Sequence, residues 1–133
     1  MLELLNFRML VYLQLTLSVL EIYCERIRDL LTDLPEASEE RLTVQQDRVR
    51  GIVIPGASEL PVRSEAELMS LMQLGLPRRM VSYTGMNAAS SRSHCVVLLR
   101  LAQVLDSGRM LHSKLSLVDL AGVYLTSISW HVI

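Results

Sequence analysis

The fold class of this chain is decided by residues 87–122, which read NAASSRSHCVVLLRLAQVLDSGRMLHSKLSLVDLAG. Two β-rich runs, Cys95 to Val104 and Leu111 to Val118, are joined by Asp106-Ser107-Gly108, a turn signal typical of a hairpin. The second run ends in Asp119, so a carboxylate emerges where an apolar strand leaves the sheet. In open α/β sheets ligands bind at the carboxyl ends of the strands, so a ligand site at Asp119 is one interpretation of this stretch. An aspartate at a strand end can also serve simply to start a turn.

A polar loop precedes the first run, with the sequence Asn87-Ala88-Ala89-Ser90-Ser91-Arg92-Ser93-His94. Its hydroxyls, amide and guanidinium suit phosphate oxygens and a hydrated magnesium ion, because arginine supplies fixed charge and serine oxygens can ligate metal or position water. Two other interpretations compete: a loop whose side chains bond their own backbone, and a serine hydrolase. The hydrolase interpretation fails because the sequence has no G-x-S-x-G elbow and His94 has no evident orienting carboxylate.

The first half of the chain predicts further sheet elements. Val11 to Tyr23 reads as a strand that needs cover on both faces. Cys24 to Leu31 shows near-helical spacing of its apolar residues. Arg41 to Gln46 and Gly51 to Pro55 flank a short polar turn and predict a small hairpin lobe.

One helix is well marked. Ser64-Glu65-Ala66-Glu67 is a capping box, in which the serine accepts from the third helical N–H and the glutamate reaches back. The helix is expected to run to Gly75, which would end it in the left-handed conformation, and Pro77 discourages continuation.

Composition limits the classes of function. The 133 residues are 50% hydrophobic and 20% charged, which is typical of globular proteins, and the net charge of -1 provides no field for binding nucleic acid. Cys24 and Cys95 form no CxxC motif, so neither a disulfide scaffold nor a zinc site is indicated. The apolar run from Met9 to Leu20 is too short and too polar to span a bilayer, and no cleavage site follows it. We therefore expect a cytosolic protein without a membrane segment.

Taken together, these segments resemble the kinesin motor domain. Leu20 to Leu31, LEIYCERIRDLL, is similar to the family's central strand and the segment after it. Asn87 to His94 matches the switch I signature N-x-x-S-S-R-S-H, and Leu117 to Gly122 matches the first part of switch II, whose usual form is D-L-A-G-S-E. We accordingly divide the chain into an unmatched segment at 1–10, a partial motor domain at 11–122 and a divergent tail at 123–133.

The resemblance implies an incomplete α/β fold of the P-loop NTPase type, with a central sheet, the hairpin lobe and the capped helix, and it implies binding of ATP and Mg²⁺. The implied phosphate-binding and metal-binding residues are Asn87, Ser90, Ser91, Ser93, Asp119 and Gly122. Ser90 and Ser91 would approach the magnesium ion and the γ-phosphate, and Asn87 and Ser93 would line the same pocket. Asp119 would hold magnesium through water, and the Gly122 N–H would bond the γ-phosphate.

Catalysis in the family implies roles for Ser91 and Arg92, the latter as half of a salt bridge with the glutamate two residues after the switch II glycine. Here Tyr124 stands at that position and cannot pair with a guanidinium as a carboxylate would. The 133 residues also contain no G-x-x-x-x-G-K-[ST] loop to wrap the phosphates. We therefore expect no measurable ATPase activity from this chain alone.

The implied family function is ATP-dependent movement along microtubules, in the cytoplasm and on the cytoskeleton. An alternative is a non-catalytic fragment that binds microtubules through Arg48 and Arg50, which fall where the family's hairpin lobe faces tubulin. The sequence does not indicate an oligomeric state.

Overall fold

In the part of the chain that the structure describes, one α-helix packs against the larger of two sheets. The computed structural model describes residues 10–32, 42–79, 93–121 and 126–132. A six-stranded sheet has the order β2-β1-β6-β7-β8, with β5 added on β1, and β3 and β4 form a separate two-stranded sheet. The strands are β1 Leu10–Tyr23, β2 Arg26–Asp29, β3 Gln45–Asp47, β4 Gly51–Val53, β5 Leu60–Val62, β6 His94–Leu105, β7 Met110–Asp119 and β8 Thr126–Val132.

Strand β1 lies inside the sheet, as its apolar sequence predicts. It pairs antiparallel with β6 along one edge and with β5 and then β2 along the other. Residues 17–21 are buried on both faces, which confirms the predicted need for two-sided cover. The start of the strand differs, because Tyr12 and Leu13 are each 53% exposed.

The segment after β1 corrects a prediction. The near-helical spacing of Cys24 to Leu31 is misleading, since β2 turns back antiparallel on the end of β1. Cys24 and Glu25 form the turn with φ values of 47° and 60°, the left-handed conformation that tight hairpins require. Pairing with β1 therefore decides the conformation here, and local periodicity does not.

The predicted hairpin lobe is confirmed by the antiparallel pairing of β3 with β4. Asp47 closes its turn, because Oδ1 accepts from the backbone N–H of Val49 at 2.8 Å and of Arg50 at 2.6 Å. These hydrogen bonds, that of Arg50 first, lower the pKa of Asp47 below its usual value.

Helix α1, Glu65–Gly75, begins at the predicted cap, where Ser64 Oγ accepts from the Glu67 N–H at 3.1 Å. The Glu67 side chain reaches one residue further back than a capping box requires, and accepts from the Arg63 N–H at 2.7 Å. Both hydrogen bonds satisfy N–H groups at the helix start.

The predicted end of the helix is wrong in its conformation. Gly75 has φ -78° and ψ -48°, which is right-handed, and the chain continues as a 3₁₀ turn over Leu76–Arg78. Glycine is suited to this position for another reason: an added Cβ would lie 3.0 Å from Leu31 Cδ2 and 3.4 Å from Val19 Cβ. The residue permits close contact between helix and sheet, and it forms no left-handed cap.

The core lies between α1 and one face of the sheet. Its buried members come from β1, β5, β6 and the two residues after β2, and the helix packs Leu68, Leu71 and Met72 against them. The buried set is Leu17, Val19, Leu30, Leu31, Val62, Cys95 and Val97.

The hairpin of β6 and β7 forms as predicted from residues 106–108, with Gly108 at φ 75°. On the far side of β7, β8 pairs antiparallel from Thr126 to Val132. The helix in the described ranges has 11 residues, so none there is long enough to cross a membrane.

One buried carboxylate joins the sheet to the segment before β5. Asp29, at the end of β2, is 6% exposed. Its Oδ1 accepts from the Leu31 N–H at 2.8 Å, and its Oδ2 accepts from the Ser58 N–H at 2.5 Å. Both donors would be left without a partner if the carboxylate were removed.

We predict that Asp29→Ala lowers the free energy of unfolding by about 3 kcal/mol, because two N–H groups lose a charged acceptor. Asp29→Asn keeps one acceptor oxygen and should cost about half as much. Urea unfolding followed by circular dichroism measures both, with Asp106→Ala in an exposed turn as the control. Equal effects of Asp29→Ala and Asp106→Ala would show that the carboxylate does not hold these segments together.

Candidate functional site

Three strand ends meet at one edge of the sheet. Since β1 and β6 are antiparallel, and β6 and β7 are antiparallel, the end of β1, the start of β6 and the end of β7 lie together. In the register, Cys95 lies opposite both Glu21 and Asp119. Paired residues project to the same face, so these three side chains form a row on the face that α1 covers.

Arg79, directly after the 3₁₀ turn, joins two of the predicted site residues. Its Nη1 donates to Asp119 Oδ2 at 2.5 Å. Its Nη2 donates to the Ser93 carbonyl at 2.6 Å, and its Nε donates to Ser93 Oγ at 3.2 Å. One planar guanidinium therefore fixes the end of β7 relative to the residue that precedes β6.

The two partners of Arg79 differ in solvent exposure. The Asp119 side chain is 59% exposed, while Ser93 is fully buried. Asp119 can therefore accept from a further group at the surface, whereas Ser93 acts through the arginine that it binds. Sequence reasoning missed Arg79, and the available signal was its position immediately after the helix.

His94 holds the chain after β7. Its Nδ1 accepts from the Ala121 N–H at 3.0 Å, so this ring nitrogen carries no proton in the structure. The imidazole thus acts as a structural link between β6 and the residues after Asp119. This use of the ring agrees with rejecting the hydrolase interpretation.

Arg78, the neighbour of Arg79, holds the chain after β2. Its Nη1 donates to the carbonyl of Thr32 at 2.9 Å and to that of Leu30 at 3.4 Å. Consecutive arginines at the end of the helix therefore fix different segments at the same edge of the sheet.

Cys95 and Glu21 are buried neighbours of the site. Burial raises the pKa of the Cys95 thiol, Arg79 opposes this, and Asp119 and Glu21 add to it, so the thiol stays protonated at neutral pH. Glu21 is fully buried and pairs with Arg28 Nη1 at 3.3 Å. Cys95 therefore serves packing, and the buried Glu21 pairs with a partly exposed arginine.

The other predicted phosphate and metal residues, Asn87, Ser90, Ser91, Arg92 and Gly122, lie outside the described residues. Within the part of the chain that the structure describes, no three His, Cys, Asp or Glu side chains are grouped to hold a metal ion. Asp119 contributes a partly exposed carboxylate, which suits contact with a hydrated magnesium ion through water.

The hairpin lobe presents the two arginines predicted to face microtubules. Arg50 is bound by Glu59, with Nη2 at 2.6 and 2.7 Å from the two carboxylate oxygens. Arg48 is exposed in the turn beside Val49, whose side chain is 65% exposed. The charge of Arg50 is thus partly compensated within the chain.

Comparison with known proteins gives consistent matches. The sequence profile described as "Kinesin motor domain" matches residues 8–127. The chain is 42% identical over 106 residues to the kinesin heavy chain of Syncephalastrum racemosum, covering 79% of this chain and 11% of that protein. It is 39% identical over 110 residues to kinesin-like protein 3 of Schizosaccharomyces pombe, covering 82% of this chain and 19% of that protein.

A solved structure of a fast kinesin superposes with a TM-score of 0.70 at 37% identity, covering 84% of this chain and 30% of that one. The match confirms the predicted resemblance and the predicted incomplete α/β fold. The chain spans about a tenth and about a fifth of the length of the two relatives named above.

We predict that Arg79→Lys lowers the free energy of unfolding by about 2 kcal/mol, because a single ammonium cannot reach Asp119 and both Ser93 acceptors together. Amide hydrogen exchange should also become faster at residues 93–95 and 119–121, which the guanidinium joins. The matched control is Arg63→Lys at an exposed position. If both variants show the same stability and the same exchange rates, Arg79 does not organise this edge.

Proposed function

The chain belongs to the kinesin motor domain family, and from this premise we propose that it forms part of an ATP-driven motor that moves along microtubules in the cytoplasm. The observation that supports a nucleotide-sensing role is the placement of Arg79 between Ser93 and Asp119. Ser93 belongs to the switch I signature, and Asp119 opens the switch II signature. A displacement of either segment would therefore be transmitted to the other through the Arg79 side chain.

In this proposal one group of residues contacts the ligand and a second group positions the first. Asn87, Ser90 and Ser91 contact the phosphates and the metal, and the Gly122 N–H bonds the γ-phosphate. Arg79 sets the position of Asp119, and Ser93 supports Arg79 from the buried side. Preorganised donors are the form of catalysis that phosphoryl transfer uses most, and the contacts of Arg79 with Ser93 and Asp119 would contribute to such an arrangement.

Asp119 would bind magnesium through water. Its carboxylate is at the surface, and the Arg79 contact leaves oxygen lone pairs for a further donor. When bound, magnesium supplies charge that neutralises the phosphate oxygens. The role of Asp119 is to orient the metal's hydration shell.

We further propose that these 133 residues do not hydrolyse ATP by themselves. They contain no G-x-x-x-x-G-K-[ST] segment, which supplies most of the phosphate contacts in this class. Tyr124 also replaces the carboxylate that would pair with Arg92. The switch segments alone offer too few donors to hold a triphosphate.

A titration with a fluorescent ATP analogue and magnesium should therefore show no saturable binding by the purified chain. Asp119→Ala and Arg92→Ala should give the same flat signal, and circular dichroism should show that each variant remains folded. Tight binding that both substitutions abolish, but that Arg109→Ala in the β6–β7 turn does not, would refute this. Such a result would mean that a complete site assembles without the phosphate-binding loop.

The second candidate function is a non-catalytic microtubule-binding module. It is favoured by the turn of the hairpin lobe, where Asp47 fixes the backbone and Arg48 and Val49 are exposed. A cation beside an apolar side chain on a fixed turn suits an acidic protein surface. The paired charge of Arg50 makes Arg48 the principal contact in this case.

If the lobe binds, microtubule pelleting should retain the chain at low salt and release it as ionic strength rises, because the contact is electrostatic. Arg48→Ala should then weaken pelleting several-fold, while Arg109→Ala, which removes the same charge elsewhere on the surface, should not. Pelleting that does not depend on salt, or equal losses in both variants, would count against a contact through the lobe.

A further inference from the structure

A polar cleft lies on the sheet face opposite α1. Thr16, Arg100 and Lys114 are directly paired across β1, β6 and β7, so their side chains project to one face. The core residues Leu15, Leu17 and Leu99 alternate with them and project to the helix side. Arg50, Glu59 and His112 complete the charged and titratable lining of a cleft of about 220 Å³.

The lining carries more positive than negative charge. Arg50, Arg100 and Lys114 are cations, and Glu59 is the carboxylate among the lining residues. Arg100 and Lys114 are direct cross-strand neighbours, and like charges in that position destabilise a sheet. Both carboxylate oxygens of Glu59 accept hydrogen bonds from Arg50. Glu59 Oε1 lies 3.9 Å from Arg100 Nε, so Glu59 interacts mainly with Arg50.

One N–H donor of Arg100, at Nε, makes no hydrogen bond within the described residues. The Arg100 side chain is 15% exposed, and Nη2 donates to the Ile52 carbonyl at 3.2 Å; the Nε atom is itself buried, lies 3.9 Å from Glu59 Oε1 and has no hydrogen-bond partner among these residues, so any contact with a group in the cleft would come from the terminal nitrogens. Burial lowers the pKa of Arg100, Glu59 opposes this, and Arg50 adds to it. Since arginine keeps its charge, the side chain remains a buried cation that an anion would stabilise.

The size of the cleft limits the ligand. Pockets for drug-sized molecules are usually about 300 to 1,000 Å³, so this cleft suits a single small group with a few waters. The donors approach from separate strands: a guanidinium N–H, an ammonium and the Thr16 hydroxyl. A tetrahedral oxyanion can accept hydrogen bonds from all three donors. Arg50 is not counted among them, because Glu59 already pairs with it through both carboxylate oxygens.

We infer that this cleft binds a phosphate group, held by Arg100 and Lys114 with Thr16 as a neutral donor. The site is separate from the edge that carries Asp119. Lys114 precedes Asp119 by five positions along β7, which corresponds to about 17 Å in an extended strand. The inference does not depend on the proposed motor function.

Lys114 makes a direct test available, because it is the chain's single lysine. An amine-acetylating reagent followed by peptide mass spectrometry reports its accessibility, with the amino terminus as an internal reference. Inorganic phosphate should slow acetylation of Lys114 at least about threefold relative to sodium chloride of equal ionic strength, and should not slow that of the amino terminus. O-phosphoserine should act in the same way if the phosphate group is what is recognised.

Lys114→Gln and Arg109→Gln remove the same charge inside and outside the cleft. Phosphate should raise the melting temperature of the original chain and of Arg109→Gln, and Lys114→Gln should weaken phosphate binding about tenfold. Asp119→Ala should leave the Lys114 protection unchanged, which separates this site from the nucleotide edge. Protection equal to that of chloride, equal losses in both glutamine variants, or protection by a polyglutamate peptide but not by phosphate would overturn the inference.

Discussion

The structure depends on the burial of β1 along both edges and both faces. From Leu17 to Glu21 the strand is buried, with β6 on one side and β5 and then β2 on the other. A strand so enclosed cannot leave a polar side chain unpaired, and Glu21 accordingly binds Arg28 across the β1–β2 hairpin. The tight turn at Cys24 and Glu25 follows from the same requirement, because β2 must begin pairing at once.

At the other end of the sheet, β8 protects β7 from pairing with other chains. β7 is ten residues long, and an unpaired strand of that length would offer its backbone groups to other chains. β8 pairs with it from Ser113 to Asp119, although residues 128–132 lie beyond the matched family profile. The pairing uses backbone groups, so it places few demands on the sequence of the tail. A strand that lies mostly beyond the matched family profile therefore protects this edge.

Sequence reasoning succeeded where the signal is local and failed where it is tertiary. Alternating apolar residues and the turn at 106–108 identified β1, β6 and β7, and Ser64 identified the start of α1. The β2 strand was missed because its spacing suits a helix until β1 is beside it. Gly75 was given a left-handed role because its contact with Leu31 is invisible in the sequence. The motifs predict Ser93 and Asp119 as site residues, and the structure joins both to Arg79, which belongs to no motif.

The packing of α1 against β1 determines the geometry of the candidate site. Gly75 allows the last turn of the helix to approach Val19 and Leu31 closely, and the chain then leaves through the 3₁₀ turn. The arginines that follow reach in different directions, Arg78 to the carbonyls after β2 and Arg79 to Ser93 and Asp119. A movement of the helix end would therefore shift Ser93, Asp119 and the residues just after β2 together. Because packed cores favour discrete arrangements over continuous deformation, such a movement would carry Ser93 and Asp119 between defined positions.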